Sequence, residues 1–152
     1  VKVAKSLKKI IIEKLGPAFL EKGFTYNKSV SQNGFFYIFA EVAGTSHEWY
    51  KEYQNGNVTS IPNREVIEIS KSSIFGISVS LGSVAKGCKD LGYLSGHPTQ
   101  KWWPTNSEEA VEKSFKEILA LLDEYGWDWF INAELSPFAR RIQKKIEEAA
   151  DS

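Results

Sequence analysis

The sequence of 152 residues contains one cysteine, no methionine and no long apolar run. Cys88 alone cannot form an intrachain disulfide or supply a cysteine cluster for zinc, so a metal site would have to use the two histidines and carboxylates. No apolar stretch approaches the roughly 20 residues of a membrane-spanning helix, and residues 1–20 form a lysine-studded amphipathic pattern without a signal-peptide core. These absences favour a cytoplasmic protein that binds neither metal nor membrane.

A surplus of positive charge is also lacking, because 19 basic and 19 acidic residues cancel. The global positive field that nucleic-acid-binding proteins usually carry is therefore absent. The main local basic cluster, Arg140 to Lys145, lies on the polar side of an amphipathic stretch and is followed by Glu147 and Glu148. We interpret it as a solvated helix face and expect no specific nucleic-acid binding.

Catalytic and cofactor motifs are missing as well. There is no glycine-rich phosphate loop and no dinucleotide fingerprint, so we expect no cofactor. The nearest approach to a serine-hydrolase elbow is "GISVSLG" at 76–82, where Ser80 occupies the place of the second glycine and the alternation is that of a strand. "SVAK" at 83–86 has the Ser-x-x-Lys spacing, but so does "SLKK" at 6–9 in a helix. A binding protein is therefore favoured over an enzyme.

A helix is predicted at the start of the chain, because apolar residues recur at helical spacing from Val3 to Leu15. Pro17 interrupts this pattern, so the helix either kinks there or stops and restarts. The apolar face continues to Gly23, which is a candidate C-terminal cap.

Three or four strands are predicted between Phe24 and Gly82, where the periodicity becomes strand-like. "GFFYIFAEVAG" at 34–44 is apolar on both alternating faces, which is typical of an interior strand. "SIFGISVSLGS" at 73–83 places Phe75, Ile77, Val79 and Leu81 on a core face and small polar residues on the other, and it pairs with 65–70 in a hairpin. Residues 45–63 form a long irregular loop of the kind that often carries function.

Two further helices are predicted in the C-terminal third. The first is capped by Thr105 or Asn106 and ends at Gly126, and "WDWF" follows as a short helical turn or a strand. The second is capped by Ser136, has Pro137 at its first position, and buries Phe138, Ile142 and Ile146. The element order predicts one α+β domain over 1–152, frayed from 148: a single antiparallel sheet of about 4–5 strands, with a long N-terminal helix and two C-terminal helices packed on it.

The candidate binding residues are aromatic side chains in the two irregular segments: Trp49, Tyr50, Tyr53, Trp102 and Trp103. Burying a tryptophan removes about 150–250 Å² from water, worth up to roughly 4–6 kcal/mol at about 25 cal/mol/Å². Several exposed tryptophans are therefore unfavourable unless a ligand or partner covers them. We expect some of these residues to pack in the core and the others to line a contact surface.

Trp102 and Trp103 are expected to divide these two roles. Pro104 restricts Trp103 to an extended backbone, and adjacent side chains on extended backbone point in opposite directions. One tryptophan is therefore expected to pack against the first turns of the following helix near Val111, while the other is available for contact.

An alternative site uses His47, Glu48 and His97, all in predicted loops. If the loops meet, with Asp90 as a further carboxylate, these residues would form a general-base or metal site of a small hydrolase or ligand-binding protein. The competing interpretation is that both histidines are solvent-exposed or locally hydrogen-bonded.

Three segments resemble small bacterial α+β proteins that are grouped only as a domain-of-unknown-function family. They are "LGPAFLEKGFTY" at 15–26, "VIEISKSSIFGISVSLG" at 66–82 and "WWPTNSEEAVEKSFKEILALLDEYGWDWF" at 102–130. The resemblance covers about residues 5 to 130 and implies an α+β fold without implying any catalytic residue. Such families often include members found beside toxin or phage genes, so the resemblance implies an immunity-like interaction domain with a protein partner.

Overall fold

We describe the fold from a computed structural model over residues 6–32, 35–42, 54–56, 61, 65–72 and 75–151. The helices and strands follow one another in this order: α1 (Leu7–Glu21), β1 (Thr25–Gln32), β2 (Phe35–Glu41), β3 (Glu65–Ser72), β4 (Gly76–Ser83), β5 (Gly87–Asp90), α2 (Leu91–Leu94), α3 (Glu108–Leu121), a π-helical turn (Leu122–Gly126), α4 (Trp127–Asn132) and α5 (Pro137–Ala150).

The strands form one antiparallel sheet in the order β1-β2-β3-β4-β5. Each strand therefore pairs with its neighbours in the chain, as in a meander. This confirms the predicted α+β class with a single antiparallel sheet and helices. β2 is an interior strand between β1 and β3, which agrees with its apolar residues on both faces.

Helix α1 runs through Pro17 without stopping. Ser6 caps its N-terminus by accepting a hydrogen bond from Lys9 N at 3.4 Å. The helix ends at Glu21, Lys22 is the cap residue, and Gly23 follows with a φ of +86°, the left-handed conformation that glycine adopts after a helix. Its buried side chains are Ile11, Leu15 and Phe19.

The core lies between the helices and one face of the sheet. The register aligns Ile38 of β2, Ile69 of β3 and Val79 of β4 in one row, so that all three side chains point to the same face. The helices contribute Leu15, Phe115, Ile118 and other apolar side chains to the same cluster.

The second face of β4 is small and polar as predicted, but it is also buried. Ser78 is 2% exposed. Its hydroxyl donates to Asp90 Oδ2 at 3.1 Å and accepts from Gln100 Nε2 at 3.0 Å. A buried hydroxyl needs such partners, because an unpaired one would lose its hydrogen bonds to water without replacement.

Two predicted boundaries of α3 are wrong. Its N-terminal cap is Ser107, which accepts from Ala110 N at 3.0 Å, instead of Thr105 or Asn106. The helix also does not end at Gly126, because the π-helical turn connects it directly to α4. "WDWF" is therefore helical. Gly126 has helical dihedral angles, and a Cβ there would lie 2.7 Å from Leu122 Cδ2, so this glycine permits close packing within the continuing helix.

Helix α5 begins as predicted, with Ser136 as the cap and Pro137 in the first turn. Ser136 N also donates to Ala85 O at 2.8 Å, which ties the start of α5 to the turn between β4 and β5. Ile142 is buried, whereas Phe138 and Ile146, which the pattern predicts to be buried, are only partly covered. In the part of the chain that the structure describes, no helix is long and apolar enough to cross a membrane.

Candidate functional site

The segment before α3 runs beside the first half of β4. Ile77 N donates to Trp103 O at 2.9 Å, and Trp103 N donates to Ile77 O at 2.7 Å, which together form an antiparallel bridge. Gly76 allows this approach. It has a φ of +98°, and a Cβ at this position would lie 1.9 Å from Trp103 O. The backbone around Trp103 is therefore fixed against the sheet.

Trp103 is the packing residue of the tryptophan pair. Its side chain is 1% exposed and belongs to the core cluster with Ile77 and Phe115. Within the described ranges, its buried indole N–H has no hydrogen-bond partner, which is an energetic cost that the packing of a large ring offsets. Trp103 is therefore a core residue, in contrast to its prediction as a candidate binding residue.

A salt bridge lies over the Trp103 ring. Lys101 Nζ donates to Glu117 Oε1 of α3 at 2.7 Å and sits 5.5 Å from the centre of the Trp103 ring. The hydrogen bond from Lys101 lowers the pKa of the Glu117 carboxyl, and partial burial opposes this effect. The Trp103 indole lowers that pKa further, although its N–H makes no hydrogen bond of standard geometry.

Asp90 joins the same segment to β4 and α2. Its Oδ1 accepts from Tyr93 N at 3.0 Å, as the cap of α2, and from Lys101 N at 3.3 Å. Its Oδ2 accepts from Ser78, as described above. Gly92 packs closely here, since a Cβ on it would lie 2.2 Å from Lys101 Cβ. Asp90 thus holds the segment before α3 to β4 and to the start of α2.

Trp102 is the accessible residue of the tryptophan pair. Extended backbone directs its side chain away from that of Trp103, and its ring lies 5.7 Å from the ring of Phe75, centre to centre, at an interplanar angle of 41°. Trp102 is partly exposed, and Phe75 is 55% exposed. Ser72 Oγ accepts from Phe75 N at 3.3 Å and holds the turn. We call these two residues the Phe75–Trp102 pair.

Sequence reasoning missed Phe75, because the alternating pattern places it on the core face with Ile77 and Val79. In the structure β4 begins at Gly76, so Phe75 belongs to the turn and its side chain faces solvent. The signal that identifies it is Gly76 itself. A glycine with positive φ breaks the strand alternation at that residue.

Five of the remaining candidate residues lie outside the described residues: Trp49, Tyr50, Tyr53, His47 and Glu48.

His97 is exposed, and its hydrogen bonds with other described residues are local: its Nδ1 lies 2.8 Å from Thr99 O, and its backbone N donates to Gly92 O. Among the described ranges, no group of three or more histidine, cysteine, aspartate or glutamate residues is arranged to hold a metal ion. His97 thus fits the interpretation of a locally hydrogen-bonded loop histidine.

The tryptophans after α3 belong to the core rather than to the candidate site. The Trp127 ring meets Phe19 edge-on, with ring centres 6.2 Å apart, and its Nε1 donates to Asp123 Oδ1 at 3.0 Å. The Trp129 ring packs against Phe130. Both are partly buried against the helical side of the sheet.

Comparison with known proteins gives no relative: no protein-family model, no curated protein and no solved structure matches this chain. The resemblance to a bacterial domain-of-unknown-function family therefore stays a prediction.

Proposed function

We propose that this protein is a non-enzymatic, cytoplasmic interaction domain that binds a protein partner through the Phe75–Trp102 pair. The observation that carries the proposal is the arrangement of the two neighbouring tryptophans. Trp103 fixes the backbone in the core, while Trp102 presents its ring beside a phenylalanine that is 55% exposed. Exposed aromatic area of this kind is unfavourable in water and becomes favourable when a partner covers it.

The pair is also suited to tight binding because its backbone is already ordered. The bridge between Trp103 and Ile77 and the hydrogen bond from Phe75 N to Ser72 Oγ hold both residues before any partner arrives. Less conformational entropy is then lost on association. Tryptophan is among the residues most enriched at the energetic centres of protein interfaces.

The predicted family suggests the class of partner. We propose a toxin encoded by a neighbouring gene, with this chain as the immunity-like component. The aromatic residues Trp49, Tyr50 and Tyr53 are proposed to extend the contact. The alternative of a hydrolase needs His47 and Glu48, which lie outside the described residues, and Nδ1 of its third residue, His97, lies 2.8 Å from Thr99 O in its own loop.

The proposal is tested by affinity capture with tagged protein from lysate of the source cells, followed by mass spectrometry and measurement of the dissociation constant for the captured partner. Phe75→Ser should weaken binding about tenfold or more, as expected for a residue at an interface centre. Ile131→Ser is the matched control, since Ile131 is an apolar residue of α4 outside the pair and is 74% exposed. Equal affinities of both variants and the unaltered protein would refute the role of the pair.

A further inference from the structure

A second surface lies between α1 and α3, and it does not involve the Phe75–Trp102 pair. Here the two helices leave a groove of about 700 Å³. Its floor is formed by Leu7 and Ile10 of α1 and Val111 of α3, which are only partly buried although they pack against the core. We call this surface the α1–α3 groove. An apolar floor that the fold itself leaves incompletely covered is the usual starting point of a helix-binding site.

The rim of the groove is acidic. Its charged residues are four carboxylates and one ammonium group: Glu13, Glu108, Glu109, Glu112 and Lys14. Two of the carboxylates, on Glu108 and Glu109, lie in the first turn of α3, where negative charge also stabilises the helix N-terminus. Glu112 lies outside that turn, so helix capping does not account for its place on the rim.

The charge changes along the groove. Toward the middle of α3 the exposed residues include Lys113 and Lys116, together with Lys14 from α1. Glu109 and Glu112 line this stretch as well, so the basic residues begin beside the acidic rim and continue beyond it along α3. A bound segment would meet negative charge at one end and positive charge further along, which gives it one preferred direction.

We infer that the α1–α3 groove binds an amphipathic helix of a partner protein, with an apolar stripe on the floor and lysine or arginine residues against the acidic rim. A helix fits because its apolar residues, spaced three and four apart, can pack between the ridges of two existing helices. Helix α3 has 14 residues, so it offers a length of about 21 Å, or nearly four turns, to such a ligand. The basic character follows from charge complementarity with the rim.

The test uses a synthetic peptide as the probe. A fluorescein-labelled peptide of 14 residues, matching α3 in length, carries leucine on one helical face and lysine on the other. The matched control peptide has glutamate at every lysine position. We expect saturable binding of the basic peptide, with NMR shift changes at Leu7, Ile10 and Val111. The acidic peptide should bind about tenfold more weakly or not at all. Equal binding of the two peptides, or shift changes centred on Phe75 and Trp102, would overturn the inference.

Two charge-reversed variants separate the groove from general electrostatic attraction. Glu112→Lys should weaken binding of the basic peptide about tenfold, whereas Glu147→Lys, the same net charge change on exposed α5, should leave it within about twofold. Equal weakening by both variants would show non-specific attraction and contradict the inference. A dimer in sedimentation that Glu112→Lys abolishes would assign the groove to a second copy of this chain and would also contradict it.

Discussion

Ile77 and Trp103 exchange two backbone hydrogen bonds across the edge of β4, at 2.9 and 2.7 Å. This bridge continues the pairing along β4 on the edge where β5 pairs with its second half, and it sets the direction of two consecutive side chains. Trp103 enters the core, and Trp102 turns to the Phe75 ring. The same short segment therefore supplies both stability and the proposed contact surface.

Gly76→Ala should be strongly destabilising, because the new methyl group would lie 1.9 Å from Trp103 O on a backbone with a φ of +98°. We expect a loss of about 3 kcal/mol or more in the free energy of unfolding, measured by chemical denaturation. Gly96→Ala is the matched control: its φ is +102° but nothing lies within 4 Å of the new Cβ, so it should cost only about 1 kcal/mol of backbone strain. Similar losses in both variants would show that the bridge contributes little.

The two tryptophans should differ in their effect on stability. Trp103→Ala removes a ring that is 1% exposed, and we expect a loss of about 3–5 kcal/mol in the free energy of unfolding. Trp102→Ala should cost about 1 kcal/mol, since its ring is partly exposed and makes a surface contact with Phe75. Urea denaturation of the two variants measures the difference, and a larger loss for Trp102→Ala would contradict the assignment.

Glu117 should contribute to acid sensitivity. Because the hydrogen bond from Lys101 lowers its pKa in the folded state, its contribution to stability is present above the unfolded pKa and is lost as the pH falls through the folded pKa. The side chain is 40% exposed, so solvent screening keeps this contribution under about 1 kcal/mol. Glu117→Gln should therefore reduce the decline in stability below about pH 4.5. An unchanged pH profile would show that the salt bridge has no net effect.

Glu68 should behave in the opposite way. Burial raises the pKa of its carboxyl group in the folded state. The neutral form is favoured by folding, so this contribution is present below the unfolded pKa and is lost as the pH rises through the folded pKa. Glu68→Gln should raise stability at pH 7 relative to the unaltered protein, and the gain should disappear at acid pH. Glu65→Gln is a milder comparison, because Lys86 partly opposes the effect of burial on the pKa of Glu65. Loss of stability at pH 7 in Glu68→Gln would contradict the prediction.

Local signals in the sequence predicted much of this fold. The Ser136-Pro137 start of α5, the glycine after α1 and the alternating pattern of β4 each depend on residues within a few positions of one another. The cap of α3 was missed because Thr105, Asn106 and Ser107 are all good capping residues. In the structure, Ser114 Oγ donates to Pro104 O at 2.7 Å and holds the chain that leads into the helix. Such a contact cannot be read from a local pattern.

The site was only partly predictable for the same reason. The opposite directions of Trp102 and Trp103 follow from Pro104 and extended backbone alone. Which of the two tryptophans enters the core depends on the pairing of Trp103 with Ile77, a residue far from it in the sequence. The exposure of Phe75 likewise follows from the close approach of Gly76 to Trp103, and tertiary contacts of this kind are absent from periodicity.

Trp102 is proposed to contact the partner, whereas Trp103 packs in the core. The most direct test of these separate roles is the dissociation constant of the captured partner, measured for Trp102→Ala and for Trp103→Phe. We expect Trp102→Ala to weaken binding about tenfold or more, while Trp103→Phe, which keeps an aromatic ring in the core, stays within about twofold of the unaltered protein. Weakened binding by Trp103→Phe together with unchanged binding by Trp102→Ala would contradict it.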